Sequence, residues 1–252
     1  MSPIEMRLLN SQTSTLRLKS FYGKDIPSYA ILSHTWSSDL EEEVLLVDIE
    51  RGTLKSKRGF EKIKKCCEQA AKDQFEWIWI DTCCIDKSSS AELTESINFM
   101  YQWYKEANIC YACLADVKTE KWDSRFERDF RECRWFTRGW TLQELVAPKA
   151  VQFYNSKWIS IGSKSRYNRL ISRVTGIDIR VLEGAEPSIC NIAQRMSWAR
   201  KRDNTGRRQS VQSSRSIWCQ HAHGLRRKRK RIRTAPGRGI KNHRRLFDFR
   251  LA

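Results

Sequence analysis

The sequence contains no apolar run approaching the ~20 residues that a membrane-crossing helix needs, and Met1 to Lys19 holds no apolar core of signal-peptide length. Histidine is scarce: of four, only His34 precedes Thr205. Cys110-x-x-Cys113 has no second CxxC or histidine pair to complete a zinc site. On a strand, residues three apart face opposite ways, which is poor ligand geometry. Internal repeats are missing as well, which argues against a solenoid or propeller. These absences leave an ordinary folded domain with reduced thiols. Nine cysteines without a secretory signal set the expected location as cytoplasmic, with no membrane partner.

Acidic residues are missing from one place in particular. Thr205–Ala252 holds 15 of the 47 Lys and Arg but only one of the 29 acids, Asp248. Most of the net charge of +18 therefore belongs to this segment, and residues 1–204 are close to balanced. A basic surface of the body, and with it a specific nucleic-acid partner, is not expected. Arg226–Arg231 alone would bind polyanions nonspecifically and in a salt-dependent way. With few apolar residues, 205–252 is expected to be a disordered tail.

What remains is rich in buried-strand and helix patterns. Tyr29–Ser33, Trp77–Ile80, Ile109–Leu114 and Val151–Tyr154 are short apolar runs of the kind covered on both faces of a sheet. Val44–Ile49 reads as a further, peripheral strand. Between them lie helical periodicities over Gly59–Asp73, from Ser89 with its S-x-x-E box to about Asn108, over Arg134–Val146, Arg166–Val174 and Ile189–Ala199. Lys118–Asp129 is charged and reads as a loop or frayed helix. Alternation of strand and helix predicts an α/β fold with a parallel sheet and helices on both faces. Ligands of such sheets sit beyond the carboxyl ends of the strands, which singles out Ser33–His34, Asp81–Thr82, Asp116 and the loop entering the Trp140 helix.

Three long blocks resemble the fungal HET (heterokaryon incompatibility) domain: Tyr29-Ala-Ile-Leu-Ser-His-Thr-Trp36, Trp79-Ile-Asp-Thr-Cys-Cys-Ile-Asp-Lys87 and Arg134-Trp-Phe-Thr-Arg-Gly-Trp-Thr-Leu-Gln-Glu-Leu-Val-Ala-Pro148. The resemblance runs from Tyr29 to about Arg202. It implies a domain over 29–204, with a segment 1–28 before it and the basic tail 205–252 after it. HET domains are in turn distantly similar to TIR domains, which are flavodoxin-like sheets, and Trp140-Thr-Leu-Gln-Glu144-Leu145 resembles the TIR helix whose glutamate cleaves nicotinamide from NAD. The resemblance thus implies a module of fungal non-self recognition that triggers cell death. Its partners would be further copies of itself or other HET or NLR-type proteins. No cofactor is fixed; NAD enters as a substrate that the resemblance suggests. After Arg202 the family pattern of Thr-Thr-Arg-Glu-Asp and an Ala-Tyr-Ser-Leu-Leu-Gly helix is missing. Synonymous codons from Asp203 onward, read one base later, can spell it. We therefore expect a frameshift near Asp203.

Each candidate site residue carries two readings. Glu144 is either the carboxylate that stabilises an oxocarbenium-like transition state, needing no general acid because nicotinamide leaves neutral, or the acid of a Thr141-x-x-Glu144 capping box. His34 is a helper at the ligand edge or a loop histidine bonded to backbone. Ser33 binds a ribose or phosphate oxygen, or serves a turn. Asp81 holds a ribose or positions Arg138, or else caps the turn after its strand. Arg138 meets phosphate or forms a surface ion pair. Trp36 and Trp140, with Trp135, stack an adenine or build the core, and core is the reading for Trp135. A cysteine nucleophile beside His34 is the remaining alternative.

Overall fold

The computed structural model describes residues 5–12, 16–120 and 123–200. The basic segment 205–252 and the junction near Asp203 lie outside the described residues. Among the described residues, seven strands form one sheet: Glu5–Asn10 (β1), Leu18–Tyr22 (β2), Tyr29–His34 (β3), Trp77–Ile80 (β4), Ile109–Cys113 (β5), Val151–Tyr154 (β6) and Ser160–Ser163 (β7). Their spatial order is β2-β1-β4-β3-β5-β6-β7. The four apolar runs make the parallel centre, with Ile31 beside Trp79 on one side and Cys110 on the other. β3 is buried along its whole length, which is why its sequence lacks polar alternation.

The margins are antiparallel: β1 pairs with β4 and with β2, and β7 pairs with β6. The sheet is therefore mixed. The segment 1–28, set apart in the sequence reading, contributes β1 and β2, and Met6, Leu8 and Leu9 of β1 enter the core.

The helices are Leu46–Arg51 (α1), Gly59–Lys72 (α2), Ser90–Glu106 (α3), Ser124–Glu132 (α4), Thr141–Val146 (α5), Asn168–Thr175 (α6), Ile179–Leu182 (α7) and Ile192–Arg200 (α8). One reading needs correction. Val44–Ile49 is not a strand but the entry to α1. The Asp48 carboxylate accepts the Leu45 N–H at 2.9 Å, and Gly52 ends the helix at φ 72°, a left-handed position suited to glycine. Lys118–Asp129 runs into α4, capped by Asp123, whose carboxylate accepts the Phe126 N–H at 2.7 Å. Phe126 and Phe130, four residues apart, turn inward and stack.

α2 covers one face of the sheet with Ile63, Cys66, Cys67 and Ala70. On the opposite face, Trp79 packs on Trp103 and Tyr104 of α3, and Phe153 on Phe130 and Trp135. In β7, Gly162 stands at φ 131°, and a Cβ there would lie 2.6 Å from the Tyr167 ring. Gly162→Ala should therefore cost about 3 kcal/mol, from backbone strain plus the clash. A urea melt showing a loss under about 1 kcal/mol would refute this.

Candidate functional site

Taken in chain order, the parallel strands stand 2-1-3-4, the order of flavodoxin-like sheets. Connections from β3 and from β4 leave on opposite faces, through α2 and α3. The carboxyl ends of β3 and β5 therefore form the topological switch point, where sheets of this order take their ligands. The last two residues of β3, Ser33 and His34, sit at that edge and point to opposite faces.

On the α3 face, Ser33 donates its hydroxyl to Glu144 Oε2 at 2.8 Å and accepts the Trp135 indole N–H at 2.7 Å. Arg138 grips both carboxylate oxygens of Glu144, each at 3.1 Å, in the fork geometry that suits guanidinium. The Tyr104 hydroxyl approaches Oε1 at 3.5 Å. Glu144 is 3% exposed. The capping-box reading of Glu144 does not hold: Trp140 occupies the N-cap of α5, Thr141 donates its hydroxyl to the Trp135 carbonyl, and Glu144 turns inward. Arg138 forms neither a surface pair nor an open phosphate contact, because its fork is spent on Glu144. Burial works to lower its pKa, but Glu144, Asp81 and Tyr104 outweigh that and hold it above its usual value. Burial, then Glu144, pushes the Tyr104 phenol well up.

On the α2 face, His34 lies between Asp81 (Nδ1 to Oδ1, 3.8 Å) and Glu43 (Nε2 to Oε2, 4.0 Å), bonded to neither. Its backbone-bonded alternative is overturned too, since neither ring nitrogen has a hydrogen-bond partner. Burial pulls the imidazole pKa well below 6.5, and Lys62, Arg138 and Lys87 add to this, so the ring is neutral. Glu43 is taken by Lys62, at 2.8 Å to each oxygen, and by the Ser37 N–H. Asp81 accepts the Trp36 indole N–H at 2.9 Å instead of bonding Arg138. The Trp36 ring carries the Lys87 ammonium 4.0 Å above it, so that face is occupied. Trp140 is half-buried against the core and enters neither cluster.

The edge thus brings Ser33, Glu144 and Arg138 together and, across β3, His34, Asp81 and Trp36. Glu43, Lys62, Lys87 and Tyr104 were not singled out from sequence. Tyr104 hides in an apolar helical stripe, and only burial separates Glu43 from Glu41 and Glu42. Cysteine chemistry has little footing. Burial pushes the Cys66 and Cys110 thiols well up, and those of Cys67 and Cys113 to about 12 and about 11. Among the described residues no three His, Cys, Asp or Glu are grouped to hold a metal, and no helix is long and apolar enough to cross a membrane.

Fold and edge together define an α/β domain with a flavodoxin-ordered parallel centre and a buried carboxylate–arginine cluster at its switch point. Comparison with known proteins makes the class specific. The family model described as heterokaryon incompatibility protein (HET) matches residues 29–128. The vegetative incompatibility protein HET-E-1 of Podospora anserina is 47% identical over 184 residues, covering 71% of this chain and 14% of that protein. This chain belongs to the HET family. It spans about 14% of the length of that relative. An alignment of that extent necessarily includes the middle of the chain, with Arg138 and Glu144. No solved structure matches.

Two outcomes follow. Glu144→Gln strands Arg138 without its counter-charge and should destabilise by about 3 kcal/mol. Arg138→Met added to it should recover part of that loss, and strict additivity in a double-mutant cycle would contradict the pairing. For His34, the folded ring stays neutral while the unfolded chain takes up a proton near pH 6.5. Stability is therefore intact above pH 6.5 and falls as the pH drops below it, by up to about 1.4 kcal/mol per pH unit. His34→Gln should flatten the stability profile between pH 6.5 and 5.5, and an unchanged slope would exclude the neutral buried imidazole.

Proposed function

We propose that this domain serves vegetative incompatibility as the output module of non-self recognition, triggering cell death by cleaving NAD at the Glu144 edge. The observation that carries this reading is a carboxylate held by Ser33 and Arg138 at the switch point, where α/β sheets take their ligands. In the reaction the bond between ribose C1′ and the pyridinium nitrogen breaks, and its electron pair neutralises the leaving nicotinamide. Water adds its oxygen to C1′ and releases a proton to solvent. Glu144 stabilises the oxocarbenium-like centre. Ser33 and the Trp135 indole fix its position. In the resting arrangement Arg138 neutralises the carboxylate, so substrate must draw Arg138 away, and its pyrophosphate is a suitable anion for the guanidinium fork. Clustering with further copies, or with other HET or NLR-type proteins in the cytoplasm, supplies the activating step.

A second reading, a non-enzymatic interaction module, draws on the near-complete burial of Glu144. Incubation of the purified chain at high concentration with NAD separates the two. Turnover is expected, with Glu144→Gln losing at least ~100-fold while circular dichroism confirms that it is folded. No nicotinamide release from the parent protein would rule out the enzymatic reading.

A further inference from the structure

We propose that the α2 face of the edge, across β3 from Glu144, is a binding site for a hydroxylated organic phosphate, built from His34, Asp81, Thr82 and Lys87. Four buried polar atoms at the ends of β3 and β4 have no hydrogen-bond partner: His34 Nδ1 and Nε2, Asp81 Oδ1 and Thr82 Oγ1. His34 and Thr82 are 2% and 0% exposed. An unpaired buried polar atom destabilises a fold, so four at the ends of two adjacent strands point to something that satisfies them in use.

The nearest of these groups do not bond one another. The gaps of 3.8 and 4.0 Å around the imidazole exceed a hydrogen bond. In the proposal a ligand enters by displacing the half-buried Trp36 and Lys87. No metal arrangement is present among the described residues.

The atoms define what the ligand offers. Asp81 Oδ1 needs a donor, the imidazole N–H an acceptor, and the Thr82 hydroxyl either one. Sugar hydroxyls supply both. Above them, the Lys87 ammonium meets the Thr82 carbonyl at 3.4 Å and the Trp36 ring, where an anion would bind it better. Of the three cations that bear on His34, Lys62 is held by Glu43 and Arg138 by Glu144, which leaves Lys87 to meet a phosphate. That the sugar is a ribose rests on the NAD reading above; the site itself rests on the unpaired atoms.

Calorimetric titration of the full chain with ribose 5-phosphate tests the site. One-site saturable binding is expected, with Thr82→Val and Lys87→Met each weakening it at least ~10-fold. Without ligand, Thr82→Val should melt no lower than the parent, because it removes an unpaired hydroxyl. A purely structural threonine would give the opposite. AMP binding more tightly than ribose 5-phosphate would assign the ligand to nucleotides, and the reverse to free sugar phosphates. Glu144→Gln, which releases Arg138, should still bind ribose 5-phosphate saturably and no more weakly than the parent, so loss of NAD turnover and loss of this site are separate results. Absence of binding at millimolar ligand overturns the proposal. So does equal binding by inorganic phosphate, or affinity unmoved in both Thr82→Val and Lys87→Met, which would assign the signal to the basic segment.

Discussion

A carboxylate buried to 3% exposure at the heart of a sheet edge is tolerable only if its charge is matched on the spot, and the Arg138 fork on Glu144 does that. Much of the edge is arranged around this pair. Ser33 fixes one carboxylate oxygen, and the Trp135 indole fixes Ser33. Trp135 belongs to the 3-10 turn Arg134–Thr137, whose start is held by Asp116 through the Arg134 N–H and the Cys133 thiol. The carboxyl ends of β3 and β5 and the start of α5 are thus joined by one chain of polar contacts. Its members lie far apart in sequence.

The alternation of a β-strand then divides the chemistry. Ser33 and His34 are neighbours in sequence, yet one faces a saturated network and the other a set of unpaired atoms. This division separates Glu144 from the histidine expected to assist it. The two halves still communicate by charge. Arg138 depresses the His34 pKa from across the strand, and Asp81 in turn supports the charge on Arg138. A change at either cluster is therefore felt at the other without direct contact.

The parallel centre was legible because doubly covered strands are written as unbroken apolar runs, and all four such runs became strands. The antiparallel margins were not. β1 carries Glu5, Arg7 and Asn10, and β7 is four residues around a glycine, so neither shows a strong pattern. Val44–Ile49 misled because an apolar run rich in β-branched residues counts as strand until Asp48 is seen to cap the start of a helix and Gly52 its end. At the site, residue types marked Glu144, Arg138, Ser33 and His34 as chemistry. They did not reveal that Arg138 pairs with Glu144, six residues on, or that Glu43 is the buried member of an acidic run. Pairing is a property of tertiary geometry, and the T-x-x-E pattern pointed to the wrong partner.

The same geometry constrains any mechanism at this edge. For Glu144 to meet a substrate, Arg138 has to exchange one anion for another, since a bare guanidinium in this half-buried place is costly. Asp81 offers such an exchange. It already acts on Arg138 electrostatically, and its Oδ1 is without a hydrogen bond. An anionic ligand at Lys87 would add to that pull from the same side. Opening of the carboxylate and filling of the α2 face would then favour each other, because both draw the guanidinium in one direction.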